Sequence, residues 1–228
     1  MSPDSGSPLE PLLERAGVAA PLRTRLACFG ELVLETNRSF NLTGAKTPDQ
    51  LLGHLLDSLT VIPYVREPYI DIGSGAGFPA IPVALATGLE VTLIEATAKK
   101  ARFLKSLLER LQLRGRILAQ RAETAAHDPD LRERFASGTA RGVAAAPAAA
   151  ELLLPFIRPD GVAVMQRGRL DAGERVALED ASLVLGAQVE EEFELADDRR
   201  VLLVRKLTPT PARFPRRAGI PEKRPLCT

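Results

Sequence analysis

Residues 69–84 read "YIDIGSGAGFPAIPVA", and Asp71, Gly73, Gly75 and Gly77 in that stretch form the pattern D-x-G-x-G-x-G directly after two β-formers. Glycines at a strand-to-helix turn allow positive φ and let a ligand approach the backbone closely. The spacing is not the G-x-G-x-x-G of a dinucleotide loop. Glu95 closes the next apolar run, where an acid can accept hydrogen bonds from both hydroxyls of a ribose. Loop and acid together point to an adenosyl ligand at the switch point of a sheet. With the antiparallel ending described below, they favour S-adenosylmethionine over a nicotinamide dinucleotide.

Further along, "RAE" (Arg121, Ala122, Glu123) follows a third apolar run. In such a fold this place lies beside an adenine. Ala122 is small enough to sit under the ring, and Glu123 can accept from the amine. Arg141 lies in "TARGVAAAP", at the end of a fourth strand candidate. Ligands bind at the carboxyl ends of parallel strands, so Arg141 is a site candidate; an ion pair within the core is the alternative, because a half-buried arginine needs a partner. His54, Asp57 and Ser58 share one helical face. They make a poor hydrolase triad, since three residues of one helix do not line up nucleophile, base and orienter. Helix packing and a lid over the cofactor suit them better. His127 is the only other histidine, so no metal site is expected.

Composition narrows the field. A chain of 228 residues, 45% hydrophobic and 26% charged, can hold one domain with a sizeable core plus small extensions. A net charge of +1 excludes a basic nucleic-acid coat, and 4% aromatics without tryptophan argue against a base-stacking platform. The acidic run "VEEEFELADD" reads as solvated surface, whereas "RFPRRAGIPEKR" clusters cations that attract phosphate. Cys28 and Cys227 match no metal spacing and no disulfide framework, which fits a reducing cytoplasm; Cys28 falls in an apolar helical pattern and is expected in the core. The N-terminus carries acids and prolines where a signal peptide needs a basic and then an apolar run. "GVAAAPAAAELLLPFI" is broken by Pro147, Glu151 and Pro155 and is not a membrane span.

Three sections position these residues. After about seven residues that read as a disordered tag, residues 8–66 form a helical extension. Leu22, Leu26, Phe29 and Val33 recur on one face, and "TPDQLLGHLLDSL" opens with Thr47 as N-cap, Pro48 at the first position and Gln50 completing a capping box. Residues 67–207 alternate strands ("YIDI", "EVTLIE", "RILAQ", near "TARGVA", "GVAVMQR") with helices, then end on a hairpin, "AQVEEEFEL" and "RRVLLVRKL". The pattern predicts an α/β fold with a doubly wound, mostly parallel seven-stranded sheet. Residues 208–228, punctuated by Pro209, Pro211, Pro215, Pro221 and Pro225, are expected to be extended and not helical. Pro79 is expected in the first turn of the helix after the glycine loop, and Pro82 in that turn or just beyond it.

The pieces "NLTG", "HLLDSL", "DIGSGAGFPAIPVA", "IEATAKKARFL", "RAE", "TARGVA", "LLLPFIRPDG" and "FPRRAGIPEKRPL" occur in order from about residue 37 to 226. In them the chain resembles the bacterial small-subunit ribosomal RNA guanine-N7 methyltransferases. The resemblance implies a class I methyltransferase fold and transfer of a methyl group from S-adenosylmethionine to N7 of guanine 527 of 16S RNA. It implies cofactor contacts at Gly73, Phe78, Glu95, Ala96, Thr97, Ala122, Glu123 and Arg141, with Asp71, Gly75 and Gly77 completing the loop. Arg121 and Arg141 match basic positions associated with activity or RNA, and are expected to position a phosphate or a guanine edge. Guanine N7 carries a free lone pair, so no general base is required. Arg213, Arg216, Arg217, Lys223 and Arg224 are expected to grip the RNA, free or in the small subunit, in a cytoplasmic and monomeric enzyme. The chain departs from the family at Ala136 (usually Asp), Gly142 (usually Ala), Ala80 (usually Gly) and Arg167 (usually Lys). These departures keep open a methyltransferase of another substrate, or a cofactor-binding assembly factor without activity.

Overall fold

The computed structural model describes residues 7–227 apart from Asp197, so the expected N-terminal tag lies almost wholly outside the described residues. Three helices, α1 (Leu9–Arg15), α2 (Ala20–Asn37) and α3 (Pro48–Thr60), precede an alternating run: β1 (Tyr69–Ile72), α4 (Ala80–Thr87), β2 (Val91–Ile94), α5 (Ala98–Arg110), β3 (Gly115–Leu118), α6 (Ala122–Ala125), β4 (Phe135–Arg141), α7 (Ala146–Leu153), β5 (Ile157–Gly168) and α8 (Ala172–Val184). A hairpin of β6 (Ala187–Glu194) and β7 (Arg199–Lys206) follows, then a short α9 (Ile220–Lys223). The sheet order is β3-β2-β1-β4-β5-β7-β6. β1 pairs in parallel with β2 and β4, and β7 is antiparallel to both β5 and β6.

The central strands are buried on both faces, which is why their sequences are nearly continuous apolar runs. The two-residue period divides them: Tyr69, Val162, Val164, Val201 and Leu203 face the layer holding α1–α5, whereas Ile70, Ile72, Ala163, Met165, Leu202 and Val204 face the layer of α7 and α8. The N-terminal helices share the first of these layers: Leu26, Phe29, Val33, Leu51 and Leu55 pack in one cluster with Phe78 and Ile81. α3 begins as its capping residues require. Thr47 Oγ1 accepts from the Gln50 amide at 3.3 Å, and Gln50 Oε1 returns to the Lys46 amide at 2.8 Å.

Cys28 corrects the sequence reading. It is exposed, although Ala27 and Phe29 beside it are buried. At 100° per residue it projects about 120° from the stripe of Leu22, Leu26, Phe29 and Val33, so its apolar neighbours in sequence are not its neighbours in space. β4 also differs from the expected segment. It starts earlier, at Phe135, and stops at Arg141 because Gly142 turns to φ 61°. Ala136 is therefore at the strand end opposite Arg141, about 16 Å away at strand rise. A Cβ on Gly142 would meet nothing within 4 Å, so backbone conformation and not space is what this position demands.

The tail is strapped down by its main chain. The Arg132 guanidinium donates to the carbonyls of Thr210 (2.8 Å), Pro211 (3.3 Å) and Phe214 (2.8 Å). The tail is not extended throughout: Ile220–Lys223 make one helical turn, which tolerates Pro221 because first-turn amides lack a helical partner anyway.

Candidate functional site

At the carboxyl end of β1 the loop turns on Gly73, Gly75 and Gly77 with φ of 62°, 53° and 98°. A Cβ on Gly73 would lie 2.9 Å from Val143 Cγ2, so the loop is closely seated as well as left-handed. Pro79 takes the N-cap of α4, and Pro82 the third position. Pro79 precedes the helix proper, and the amides on either side of Pro82, those of Ile81 and Val83, bond the carbonyls of Gly77 and Pro79 at 2.8 and 3.1 Å, so the helix runs on through Pro82.

Glu95 ties this loop to β2. Its Oε2 accepts from the Gly75 amide at 2.9 Å and its Oε1 from the Thr97 amide at 2.7 Å. A carboxylate offers about four acceptor sites, so capacity for two hydroxyls remains. Asp71 is fully buried. Its Oδ1 accepts from Thr139 Oγ1, which also bonds the Tyr69 hydroxyl at 2.7 Å. Its Oδ2 has no partner. Burial pushes the Asp71 carboxyl up to about 7, against the hydroxyls of Thr139 and Ser74 that favour the charged form. Above the loop lies a cavity of about 370 Å³ whose lining includes Thr43, Gly73, Gly75, Phe78, Lys100 and Arg141. A glycine cradle, an acid ending β2 and an orphaned buried carboxylate oxygen at the end of β1 form a donor and acceptor set that fits an adenosyl cofactor with an ammonium group. Ala96 and Thr97 are exposed at the same edge.

Arg141 closes one side of this cavity. It donates to the main-chain carbonyl of His54 at 3.3 Å and to His54 Nδ1, and pairs with Asp57 at 3.5 Å. Its guanidinium stands 5.8 Å from the Phe78 ring centroid. Arginine only donates, so His54 Nδ1 must accept and the ring proton sits on Nε2. Burial, then the charges of Arg141 and Arg199, lower His54 to about 4, so the ring is neutral at pH 7. Asp57, 7% exposed, also pairs with Arg199 of β7. Ser58 is turned away from both: it donates to the His54 carbonyl of its own helix at 2.6 Å, which excludes it from a nucleophilic triad. The "HLLDS" island is thus the polar bridge between α3 and the ends of β4 and β7.

The other expected site residues are spread more widely. Arg121 is exposed and does not line the cavity that holds Arg141, and Ala122 is half-buried at the start of α6. Glu123 is 6% exposed and its Oε1 accepts from the Gly219 amide at 2.7 Å, so the tail reaches the expected adenine acceptor. Beside it His127 Nε2 meets the Pro215 carbonyl at 2.9 Å, and therefore donates. Of the five tail cations, Arg213, Arg217, Lys223 and Arg224 are exposed. Arg216 is half-buried and forks onto Glu151, which is fully buried.

Asn37 and Arg199 escaped the sequence reading. Asn37 Oδ1 accepts from the amides of Leu42 and Thr43 at 2.7 and 3.1 Å, and its Nδ2 donates to the carbonyls of Thr43 and Ala45. It so shapes the "NLTG" loop over the cavity. An asparagine ending a helix before a turn is a local signal that could have found it. Nothing local marks Arg199, which meets its partner across 142 residues. A second cavity, of about 170 Å³, adjoins the first and shares Arg141 and Gly142 with it.

Comparison with known proteins identifies the family of the chain. The sequence profile of a family described as rRNA small subunit methyltransferase G matches residues 23–203. The chain is 40% identical over 219 residues to the ribosomal RNA small subunit methyltransferase G of Deinococcus deserti, covering 91% of this chain and 90% of that one. It is 41% identical over 210 residues to the protein of the same name from Chloroflexus aggregans, covering 86% of each. Among solved structures it is similar to an O-methyltransferase from Bacillus cereus in complex with SAH, at TM-score 0.57 and 20% identity over 78% of this chain and 91% of that one; this likeness is one of fold.

Proposed function

The chain belongs to the rRNA small subunit methyltransferase G family, and from that premise we propose that it methylates N7 of guanine 527 in 16S ribosomal RNA. It is an S-adenosylmethionine-dependent methyltransferase of small-subunit ribosomal RNA. One observation carries the finer reading: the cavity over the glycine loop and a second, arginine-lined cavity meet at Arg141 and Gly142. A methyl donor in the first and an acceptor base in the second would face each other there.

S-adenosylmethionine supplies a methyl group on a positively charged sulfur when bound. The residues of the chain hold and orient. Gly73, Gly75 and Gly77 let the ligand reach the backbone, Glu95 takes ribose hydroxyls, and Asp71 offers its free oxygen to an ammonium group. Ala96, Thr97, Ala122 and Glu123 border the nucleoside. Arg141 is fixed by His54 and Asp57, so it directs a donor at the incoming nucleotide without reorganising. N7 needs no deprotonation, and the site matches that need. His54 Nδ1 is already occupied by Arg141 and Asp57 is held by two arginines. Rate enhancement then comes from alignment and exclusion of water, and orientation of this kind lowers barriers by roughly 7–11 kcal/mol.

Arg213, Arg217, Lys223 and Arg224 face the RNA in this reading, together with the exposed Arg121. Arg216 serves mainly to anchor the tail. Ala136 lies at the end of β4 opposite Arg141, which supports the reading that its departure does not reach the site. In this reading the enzyme acts as a monomer in the cytoplasm, where its ribosomal RNA substrate is assembled.

The test compares 16S RNA from cells with and without this gene by mass spectrometry of the loop fragment. One guanine is expected to lose one methyl group. Identical fragments from both strains would overturn the reading.

A further inference from the structure

The second cavity has an acceptor in its wall that the mechanism above does not use. Gln166, on β5, is 4% exposed. Its Nε2 donates to the main-chain carbonyl of Asp57 at 2.7 Å. A carbonyl only accepts, so the amide is fixed with its nitrogen toward α3. Its Oε1 is then left buried without a partner. The residue lines the cavity together with Asp57, Arg141, Arg167, Arg199 and Arg200. Four guanidiniums and one carboxylate thus share the lining of this cavity with a neutral side-chain amide. The Nε atoms of Arg167 and Arg200 are likewise buried without a hydrogen-bond partner.

We propose that this cavity receives the target guanine and that Gln166 Oε1 accepts from its 2-amino group, making Gln166 a specificity-determining residue. The proposal rests on the reading that N7 of guanine is methylated. N7 has to face the cofactor cavity, across Arg141 and Gly142. The 2-amino group lies at the opposite end of the purine, so it points away from the cofactor into the second cavity. A buried acceptor there complements a donor. Guanidiniums along the side complement O6, an acceptor that lies between the two ends. Adenine carries a hydrogen on carbon at that place and a donor where guanine has O6, so it satisfies neither wall. A bare phosphate would suit the arginines but would bring negative oxygens against Oε1. An enzyme acting on one base must read it unstacked, by hydrogen bonds to the edge it exposes. A pocket built around such a bond rejects analogues that lack it.

Small subunits carrying guanine or inosine at the methylated position test this. Inosine keeps N7, O6 and N1–H and lacks only the 2-amino group. Wild-type protein is expected to show kcat/KM about tenfold higher on guanine than on inosine, as one lost hydrogen bond to a buried acceptor implies. Gln166→Met is expected to bring that ratio close to one, mainly by lowering activity on guanine. The ratio compares two substrates on the same enzyme, so it is independent of the fraction of variant that folds. Unchanged affinity of the variant for S-adenosylhomocysteine would show that the neighbouring cavity is intact. A wild-type ratio near one, or a ratio that Gln166→Met leaves unchanged, overturns the assignment. Absence of methyl transfer to the guanine substrate by wild-type protein would instead overturn the proposed function itself.

Discussion

Arg216 lies in the most basic stretch of the chain, yet its replacement is expected to act first on stability. Its guanidinium meets Glu151 at 2.9 and 3.1 Å through Nε and at 2.7 Å through Nη2, and its own amide adds a fourth bond of 2.7 Å. Glu151 is fully buried in α7. Arg216→Met leaves that carboxylate with the amide alone. Removing one partner of a buried pair costs about 3–5 kcal/mol. The Arg216 side chain is 28% exposed, so water can reach the vacated place and about 3 kcal/mol is the appropriate figure. At about 2–4 °C per kcal/mol for a chain of this size, the melting temperature should fall by about 6–12 °C. Differential scanning calorimetry measures it, alongside RNA affinity well below the transition. Replacing both partners, as Glu151→Leu with Arg216→Met, should recover most of the loss because no charge is left buried. A fall of under about 2 °C, together with a large loss of RNA affinity, would refute the anchoring role.

Neutralising Arg213, Arg217 and Arg224 together should weaken RNA binding and reduce the slope of log affinity against log salt by about 2–3, since each phosphate contact contributes about 0.7–0.9; an unchanged slope in a salt titration would remove the tail from the RNA interface. His54 is lowered from 6.5 to about 4, so below pH 6.5 the unfolded chain takes up a proton that the folded one refuses. Stability should therefore decline as pH falls from about 6.5 to 4, and His54→Gln should show a shallower decline in urea titrations across that window. Gly73→Ala combines a φ of 62° with a Cβ 2.9 Å from Val143. Calorimetry should show its cofactor affinity reduced at least tenfold, on the order of 1.4 kcal/mol, and wild-type affinity would show that the loop is less closely seated than described.

The extent to which the residues announced their roles follows the range of the interactions. The capping of α3 by Thr47 and Gln50, the stripe of Leu26, Phe29 and Val33, and the positive φ of Gly73, Gly75 and Gly77 depend on neighbours a few positions away, and the order of residue types is enough to read them. The alternation of apolar runs likewise implied the parallel sheet and its closing hairpin, because strands buried on both faces need such runs. Cys28 shows where that reading slips: apolar neighbours along the chain conceal a side chain rotated out of the core. The helical turn at Ile220–Lys223 shows the same limit, since prolines forbid a helix interior but not a first turn.

Partnership across the fold is another matter. Glu151 looked like an interruption in an apolar stretch until the tail brought Arg216 against it. Glu123, an expected acceptor for an adenine, accepts instead from the amide of Gly219, 96 residues away. Asp57 joins Arg141 and Arg199 only because β4 and β7 lie one strand apart in the sheet and α3 crosses their ends. The conformation of the glycine loop is a property of local geometry, which glycine spacing encodes directly. The placing of Gln166, with one end of its amide satisfied and the other buried without a partner beside a cavity, depends on strand order and on a helix far away in sequence, and no pattern of neighbours carries that information.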